Sequence, residues 1–531
     1  MGLIRPVIFV RATAVVLAAC LAACAVFEIH KEPVNQPLAG DAAAALAAGS
    51  DNTSGSDDIM IGLAFSGGGT RAAAFSFGAL SEIERTRLPD RGGTGSLLDR
   101  VNFVSGVSGG SVLTAYYGLK KRAALADFRE RFLLRNAEES LTTNVSPLSV
   151  VRAVAGGVND TGQFARWLND NLFEGATFAD MRRTRGPGVW INASDIYNRT
   201  SFVFGPAAFA ALCSDLAAYP LADAVAASAA VPVVFAPVVI KAYPHKCTDR
   251  LPEWIERVQR NPNTVPMLKA YADALARYHN GSMSYVKLLD GGLVDNFGLS
   301  GFTIVRLLSD TPYGPLTKQE AVKLRRAIVI IVDAGRGPSG DWAHTIEGPG
   351  GPELMLAAAD TAIDASVRAS FTAFKSVMED WQGALVRWRC ALSPAERAKL
   401  GAPPDWNCRD LRFYVSRIGF DQLEPERAVV LNEVPTRFAL SPEQVDALIT
   451  AGGDAMRRNA LFREFLAGLG QGYCSGRGLY HRLPMHPPMP LWLPHVKRMG
   501  ARRPAFSSRP EQMPVCSNYK YCSIGASPTV T

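Results

Sequence analysis

The sequence has 531 residues, of which 48% are hydrophobic and 20% are charged. This composition excludes a disordered or fibrous chain, and the length suffices for one large core with insertions or for two domains. The net charge of +7 is concentrated at the end of the chain, where residues 471–531 contain eight lysines and arginines and one acidic residue, Glu511. The rest of the chain is close to neutral.

The first 27 residues have the organisation of an export signal. Two arginines accompany an apolar stretch over residues 12–23, which is too short to span a bilayer comfortably. Leu-Ala-Ala-Cys occurs twice at the end of this stretch, at residues 17–20 and 21–24. This pattern resembles the bacterial lipobox, in which the chain is cleaved before a cysteine that becomes lipidated. An ordinary signal peptide or a short anchor helix is the alternative.

We expect lipidation at Cys24 rather than Cys20, because cleavage there leaves the longer apolar region. Residues 1–23 are then a lipoprotein signal peptide. The protein would be lipid-anchored in the bacterial cell envelope, on the periplasmic side of the outer membrane. Glycine, alanine, serine and aspartate dominate residues 40–58, so residues 24–58 are predicted to form a flexible tether.

Seven cysteines follow the two lipobox cysteines. Export places them in an oxidising compartment that permits disulfides. Cys390 with Cys408 and Cys516 with Cys522 are the candidates that lie close in sequence. None of the cysteines has the spacing of a metal site, and an odd number leaves at least one thiol free or paired elsewhere.

The chain from residue 59 predicts an α/β fold, a sheet layered with helices. Short apolar runs indicate strands at 59–65, 101–104, 189–193, 201–204, 286–289 and 327–332. Helical stretches follow the first two strands at 71–85 and 111–122. Two long helical patterns, over residues 354–381 and 441–469, come after residue 340. The second opens with Ser441 as its N-cap residue.

A run of three glycines, Gly67 to Gly69, joins the first strand to the first helix. A phosphate-binding loop for a nucleoside triphosphate is not expected here, since no lysine follows the glycines. The G-x-G-x-x-A spacing fits a dinucleotide fingerprint, but the next strand ends in Ser-Gly instead of an acidic residue. The third interpretation is an oxyanion hole. Consecutive glycines at a helix start expose backbone N–H groups that can bind a developing negative charge.

The second strand leads into a candidate nucleophile. Gly106-Val107-Ser108-Gly109-Gly110 is a G-x-S-x-G motif between a strand and a helix, which is the setting of a nucleophile elbow. Ser108 is its central serine. Ser105 and Ser111 are not centred between glycines two residues apart, and we expect them to cap or fill a turn.

A serine nucleophile needs a base. Asp290 ends an apolar run and precedes two glycines, which makes it the preferred candidate. Asp295 is the weaker carboxylate and is expected to order its own turn. His344, in a glycine-rich loop after the strand at 327–332, is the one serious histidine for a catalytic triad.

These segments together resemble the patatin-like phospholipase family. Gly67-Gly68-Gly69-Thr70-Arg71 resembles its oxyanion motif, Gly106 to Gly110 its nucleophile motif, and Asp290-Gly291-Gly292 its Asp-Gly-Gly motif. The segment 227–235 (ASAAVPVVF) is similar to a fourth block of the family, and the resemblance covers about residues 59–335. Residues 431–448 also look like the end of bacterial exported members.

The resemblance implies a patatin-like layered sheet with helices on both faces and a helical C-terminal extension. It divides the chain into a catalytic domain (59–340), a helical part packed on it (341–470) and a basic proline-rich tail (471–531).

The same resemblance implies a lipid acyl hydrolase of the phospholipase A type, a serine esterase with no cofactor or metal. Ser108 would be the nucleophile and Asp290 the base of a dyad. Gly67, Gly68 and Gly69 would form the oxyanion hole, and Arg71 would help to fix that loop.

The substrate is expected to be a phospholipid or another acyl-ester lipid. Two alternatives stay open: a His344-dependent serine esterase, and a non-catalytic lipid-binding lipoprotein on the same fold. The basic tail interleaves cationic with aromatic and aliphatic residues, which suits a membrane surface. A proline-rich arm wrapped on the domain would have the same composition. A nucleic-acid partner is not expected for an exported lipoprotein.

Overall fold

The structure is a computed structural model. It describes residues 32–38, 58–88, 95–139, 141, 157–232, 234–247, 251–337 and 341–471. The signal peptide, both lipobox cysteines, the Cys516–Cys522 pair and the basic tail after residue 471 lie outside the described residues. The structure does not test the predictions made for these segments.

An eight-stranded mixed sheet runs through the centre of the described chain, with the order β5-β6-β3-β2-β1-β7-β8 and β4 paired with β3. Its strands are β1 (Ile59–Phe65), β2 (Val101–Val107), β3 (Gly188–Asp195), β4 (Thr200–Val203), β5 (Val238–Lys241), β6 (Tyr285–Asp290), β7 (Arg326–Val332) and β8 (Arg412–Ile418). Strands β3, β2, β1, β7 and β8 are mutually parallel, whereas β4 and β6 run antiparallel to β3.

Helices cover the sheet, which confirms the predicted α/β class. The helices are α1 (Gly69–Arg85), α2 (Gly109–Lys120), α3 (Ala124–Phe128), α4 (Thr161–Leu168), α5 (Phe178–Arg183), α6 (Pro206–Ala211), α7 (Leu221–Ser228), α8 (Glu253–Arg260), α9 (Pro266–His279), α10 (Gly292–Asp295), α11 (Ser300–Leu307), α12 (Lys318–Lys323), α13 (Gly351–Ala391), α14 (Pro394–Lys399), α15 (Pro425–Glu433), α16 (Pro442–Arg458) and α17 (Ala460–Gln471). Two large clusters of buried hydrophobic side chains fill the space between sheet and helices.

The C-terminal helices are part of the layer next to the sheet. Helix α16 crosses α1 at two glycines. A Cβ atom on Gly78 would lie 1.9 Å from the Ile449 carbonyl oxygen, and one on Gly452 would lie 2.0 Å from the Phe75 carbonyl oxygen. The two backbones are therefore in direct contact, and α1 carries the glycine loop at its N-terminus.

One helical prediction needs correction. Residues 441–469 form two helices instead of one, separated at Asn459, whose backbone is extended. The Asn459 side-chain oxygen accepts a hydrogen bond from the Ser416 hydroxyl of β8 (2.9 Å) and from the Phe462 N–H (2.9 Å). The second bond caps the start of α17, so the break is fixed by contact with the sheet.

Residues 32–38 also differ from the predicted flexible tether. Asn35 is buried, and its side chain donates to the Ser214 hydroxyl (2.9 Å) and the Lys241 carbonyl (2.9 Å) and accepts from the Lys241 N–H (3.0 Å). The Leu38 N–H donates to the Cys213 carbonyl. We call residues 32–38 the strap, because they are held against the edge strand β5.

Two disulfides are present in the described chain. Cys390–Cys408 confirms the predicted pairing. Cys213–Cys247, 34 residues apart, was not among the predicted pairs, and it closes the loop that holds the strap. His279 Nδ1 lies 3.9 Å from Cys213 Sγ. Within the described residues, Cys213, Cys247 and His279 are the one group of three potential metal ligands that lie close together. As a disulfide, the two sulfurs are not available as thiolate ligands.

None of the helices in the described parts of the chain combines the length and the apolar character needed to span a bilayer.

Candidate active site

The sheet topology brings three sequence motifs to one place. Strands β1 and β2 are parallel, so the loops that follow them leave the same edge of the sheet. Strand β6 pairs with β3 and runs antiparallel to it, so its last residue lies near the end of β2. Its last residue, Asp290, pairs with Ala193, next to Asn192, which pairs with Val107 at the end of β2. Asp290 is thus placed beside Ser108.

Ser108 has the backbone of a nucleophile elbow, with φ 50° and ψ −122° between β2 and α2. This conformation costs about 1–3 kcal/mol for a residue other than glycine. The flanking glycines permit it. A Cβ atom on Gly106 would lie 2.7 Å from the Gly110 carbonyl oxygen, and one on Gly110 would lie 2.4 Å from the Phe65 carbonyl oxygen. The glycines of the motif are therefore required by close backbone contacts.

The glycine loop lies against the elbow. A Cβ atom on Gly67 would be 3.3 Å from Ser108 Cβ, and one on Gly109 would be 1.9 Å from the Gly69 carbonyl oxygen. Gly68 and Gly69 have φ values of 139° and 61°, which favour glycine. Their N–H groups donate no hydrogen bond to any residue that the structure describes. They are free to bind a ligand at the start of α1.

Gly67 differs from the other two glycines. Its N–H donates to the carbonyl oxygen (3.3 Å) and the side-chain Oδ1 (3.2 Å) of Asn296. The N–H that was predicted to belong to the oxyanion hole is therefore already used within the protein. Gly67 shapes the loop, while Gly68 and Gly69 present the unpaired donors.

Asp290 is buried at the end of β6. Its Oδ1 accepts a hydrogen bond from the Gly292 N–H (2.8 Å). Burial raises the pKa of Asp290 from 3.8 to about 6, although hydrogen bonds from Gly292 and from the Ser108 hydroxyl oppose the shift. The carboxylate thus interacts with Ser108 and is a stronger base than an exposed aspartate.

Arg71 fixes the glycine loop from the first turn of α1. The buried guanidinium donates from Nε to the Ala334 carbonyl (3.0 Å) and from Nη1 to the Val434 carbonyl (2.8 Å). Burial, together with the neighbouring Arg336, lowers the pKa of Arg71 from 12.5 to about 10. Both hydrogen bonds go to main-chain atoms, so Arg71 holds the loop in position.

Other residues of the site were missed by the sequence analysis. Asn296 lies between the glycine loop and the Asp-Gly-Gly turn, where a Cβ atom on Gly292 would be 2.7 Å from its Oδ1. The segment before α16 supports the loop from the far end of the chain, because the Thr70 N–H donates to the Arg437 carbonyl (2.8 Å). Residues 431–448 resemble exported family members, but no pattern in their sequence predicts the contact between Arg437 and Thr70.

The remaining candidates have other partners. The Ser105 hydroxyl donates to the Gly298 carbonyl (2.6 Å), and the Ser111 hydroxyl donates to the Ser108 carbonyl (2.6 Å). Asp295 accepts from the Ser300 N–H (2.6 Å) and so orders its own turn, as expected. His344 is exposed, and no hydrogen bond joins it to Ser108 or Asp290 in the described part of the chain.

Comparison with known families covers the three motifs of the site. Residues 63–303 match the sequence profile described as "Patatin-like phospholipase". This part of the chain is therefore similar to the patatin-like phospholipase family. The match includes the glycine loop, the elbow and the Asp-Gly-Gly turn, and the patatin-like class of sheet is the fold that the sequence predicted.

Two solved structures resemble this chain at low identity. The human GIVD cytosolic phospholipase A2 is 11% identical, with a TM-score of 0.36, over 83% of this chain and 68% of that chain. VipD from Legionella pneumophila is 12% identical, with a TM-score of 0.26, over 77% of this chain and 67% of that chain. A search of curated protein sequences finds no match.

The candidate site is completed by residues outside the matched region. The profile ends at residue 303, yet the Val434 and Arg437 carbonyls hold Arg71 and Thr70. Asn296, which accepts from the Gly67 N–H, also lines a cleft of about 180 Å³. The other lining residues of this cleft are Asp333, Gly335, Arg336, Gly337, Asp364, Val367, Arg417, Phe420, Asp421 and Asn432. Segments on both sides of residue 303 therefore shape the surroundings of the loop.

Proposed function

We propose that this protein hydrolyses acyl-ester lipids through a Ser108–Asp290 dyad and an acyl-enzyme intermediate. Asp290 takes the proton of the Ser108 hydroxyl as the serine oxygen attacks the acyl carbonyl. The proton passes to the departing alcohol as the tetrahedral intermediate collapses to the acyl-enzyme. Asp290 then removes a proton from water, and the water attacks the acyl-enzyme. Asp290 returns that proton to the Ser108 oxygen as the second tetrahedral intermediate collapses, which releases the fatty acid and regenerates the dyad.

The observation that carries the proposal is the convergence of the three groups that the reaction needs. A serine with the strained elbow backbone interacts with a buried aspartate of raised pKa, and the loop with two unpaired N–H groups lies against the elbow. The N–H groups of Gly68 and Gly69, at the N-terminus of α1, would hold the oxyanion of the tetrahedral intermediate.

A His344-dependent triad and a non-catalytic lipid-binding lipoprotein are the alternatives. The exposure of His344 and its lack of a bond to the dyad argue against the triad. A site that only binds lipid would gain nothing from a strained serine next to a desolvated carboxylate, because such features cost stability.

We further propose that the protein is a lipoprotein of the bacterial cell envelope, anchored through Cys24 or Cys20 and acting at a membrane surface. The support for this localisation is the arginine-flanked apolar segment that ends at the two lipobox cysteines. These residues lie outside the described structure, so the proposal depends on their sequence pattern.

A fluorophosphonate probe with peptide mapping tests the mechanism. The probe should label Ser108 in the wild-type protein, and Ser108→Ala should abolish both labelling and ester hydrolysis in a folded protein. His344→Ala should keep both. Label on another residue, or full hydrolysis by Ser108→Ala, overturns the dyad. Loss of hydrolysis in a folded His344→Ala variant establishes the triad instead.

A further inference from the structure

One buried side chain connects the backbones of the nucleophile and the base. Ser228 ends α7 and is fully buried. Its Oγ accepts a hydrogen bond from the Ser108 N–H (2.9 Å) and donates one to the Asn192 carbonyl of β3 (2.6 Å). The Ser228 carbonyl accepts a hydrogen bond from the Gly291 N–H (3.1 Å), next to Asp290.

These bonds leave the Ser228 hydroxyl a single orientation. A hydroxyl has one proton to donate, and here that proton goes to the Asn192 carbonyl. A lone pair then faces the Ser108 N–H, which needs an acceptor because it is buried. The neighbouring Ala230 carbonyl accepts from the Asp290 N–H (2.8 Å), so the end of α7 also holds the aspartate.

We infer that Ser228 is a positioning residue, which sets the distance between Ser108 and Asp290 by binding the backbone of one and the turn of the other. The inference rests on the proposed dyad and adds a residue to it. Ser108 occupies a strained elbow conformation. Without an acceptor for its N–H, the elbow can relax and move the hydroxyl away from the carboxylate. Displacements of about 1 Å can reduce a rate by about 10²-fold.

Ser105 offers a matched control. It is another buried serine beside the elbow, whose hydroxyl also makes two hydrogen bonds, with the Gly298 carbonyl (2.6 Å) and the Asn192 side chain (2.8 Å). Its hydroxyl does not bind the Ser108 N–H. Replacement of either serine removes one buried hydroxyl and two hydrogen bonds, but only one replacement frees the nucleophile backbone.

The test compares Ser228→Ala with Ser105→Ala in the full-length protein, using a short-chain ester and a fluorophosphonate. Ser228→Ala should lower kcat and the rate of Ser108 labelling by about 10- to 100-fold, with KM changed less than about threefold. Ser105→Ala should keep kcat within about threefold. A role in folding alone would lower melting temperature in both variants without this separation of kcat from KM.

Ser228→Cys and Ser105→Cys serve as the second pair, in case the alanine variants fold poorly. A thiol fills the space of a hydroxyl but is a weak donor and acceptor, so packing is kept while the bonds weaken. Ser228→Cys should retain less than about a tenth of wild-type kcat. The inference is overturned if kcat in the Ser228 variants matches that in the Ser105 variants, or if the loss appears in KM. Wild-type protein without labelling at Ser108 would instead refute the dyad.

Discussion

Removal of the charge on Asp290 should abolish activity and also stabilise the protein. Burial raises the pKa of this carboxyl from 3.8 to about 6. At about 1.36 kcal/mol per pKa unit, the ionised form costs the folded state about 3 kcal/mol near neutral pH. Asp290→Asn keeps an oxygen that can accept from the Gly292 N–H and carries no charge to desolvate. Its free energy of unfolding should therefore exceed that of the wild type.

The sign of the pH dependence follows from the raised pKa. Below about pH 3.8 the carboxyl is protonated in both folded and unfolded protein, and the penalty vanishes. It grows as pH rises and is complete above about pH 6. The stability gain of Asp290→Asn should therefore be about 3 kcal/mol near pH 7.5 and about 1 kcal/mol near pH 4.5.

Urea denaturation of both proteins at the two pH values measures this gain, and ester hydrolysis is assayed in parallel. Ser108→Ala is the control, since it should be inactive without removing the buried charge, and so without the gain in stability. A variant that is no more stable than wild type near pH 7.5, or whose gain does not shrink in acid, refutes the argument from desolvation. Residual hydrolysis at the wild-type rate refutes the role of Asp290 as base.

Four further predictions concern the base, the glycine loop, the strap and the lipid anchor. The value of kcat/KM should rise with pH through an inflection near pH 6, because Asp290 must be ionised to act as base; an inflection near pH 4 would contradict this. Gly68→Ala should lower kcat by about 10²-fold with a smaller change in KM, since alanine disfavours a φ of 139°; unchanged turnover would exclude this loop as the oxyanion hole. Asn35→Ala should reduce the free energy of unfolding in urea by about 1–3 kcal/mol while kcat is retained, and unaltered stability would mean that the strap is not part of the fold. Labelled fatty acid should be incorporated in the wild-type protein and lost when Cys20 and Cys24 are both replaced by serine, whereas a wild-type protein that takes up no label would refute the anchor.

The sequence by itself identified the local parts of the candidate site. The glycine loop, the elbow at Ser108 and the Asp-Gly-Gly turn each depend on a backbone conformation set by a few neighbouring residues. Glycines mark such conformations, since a Cβ atom would clash at Gly106 or Gly110. The disulfide between Cys390 and Cys408 was also accessible, because it closes a loop of 18 residues.

Only the tertiary structure decided how those parts are arranged. Asp290 reaches Ser108 because β6 runs antiparallel to β3, and its raised pKa is a consequence of burial by distant segments. The Arg437 carbonyl binds the N-terminus of α1, although the two segments are separated by more than half of the sequence. Asn296 accepts the hydrogen bond of the Gly67 N–H. The Arg437 contact and one of the two Asn296 contacts join main-chain atoms of segments far apart in sequence. Main-chain atoms are the same in every residue, so the amino-acid sequence carries no local mark of the contacts that they make.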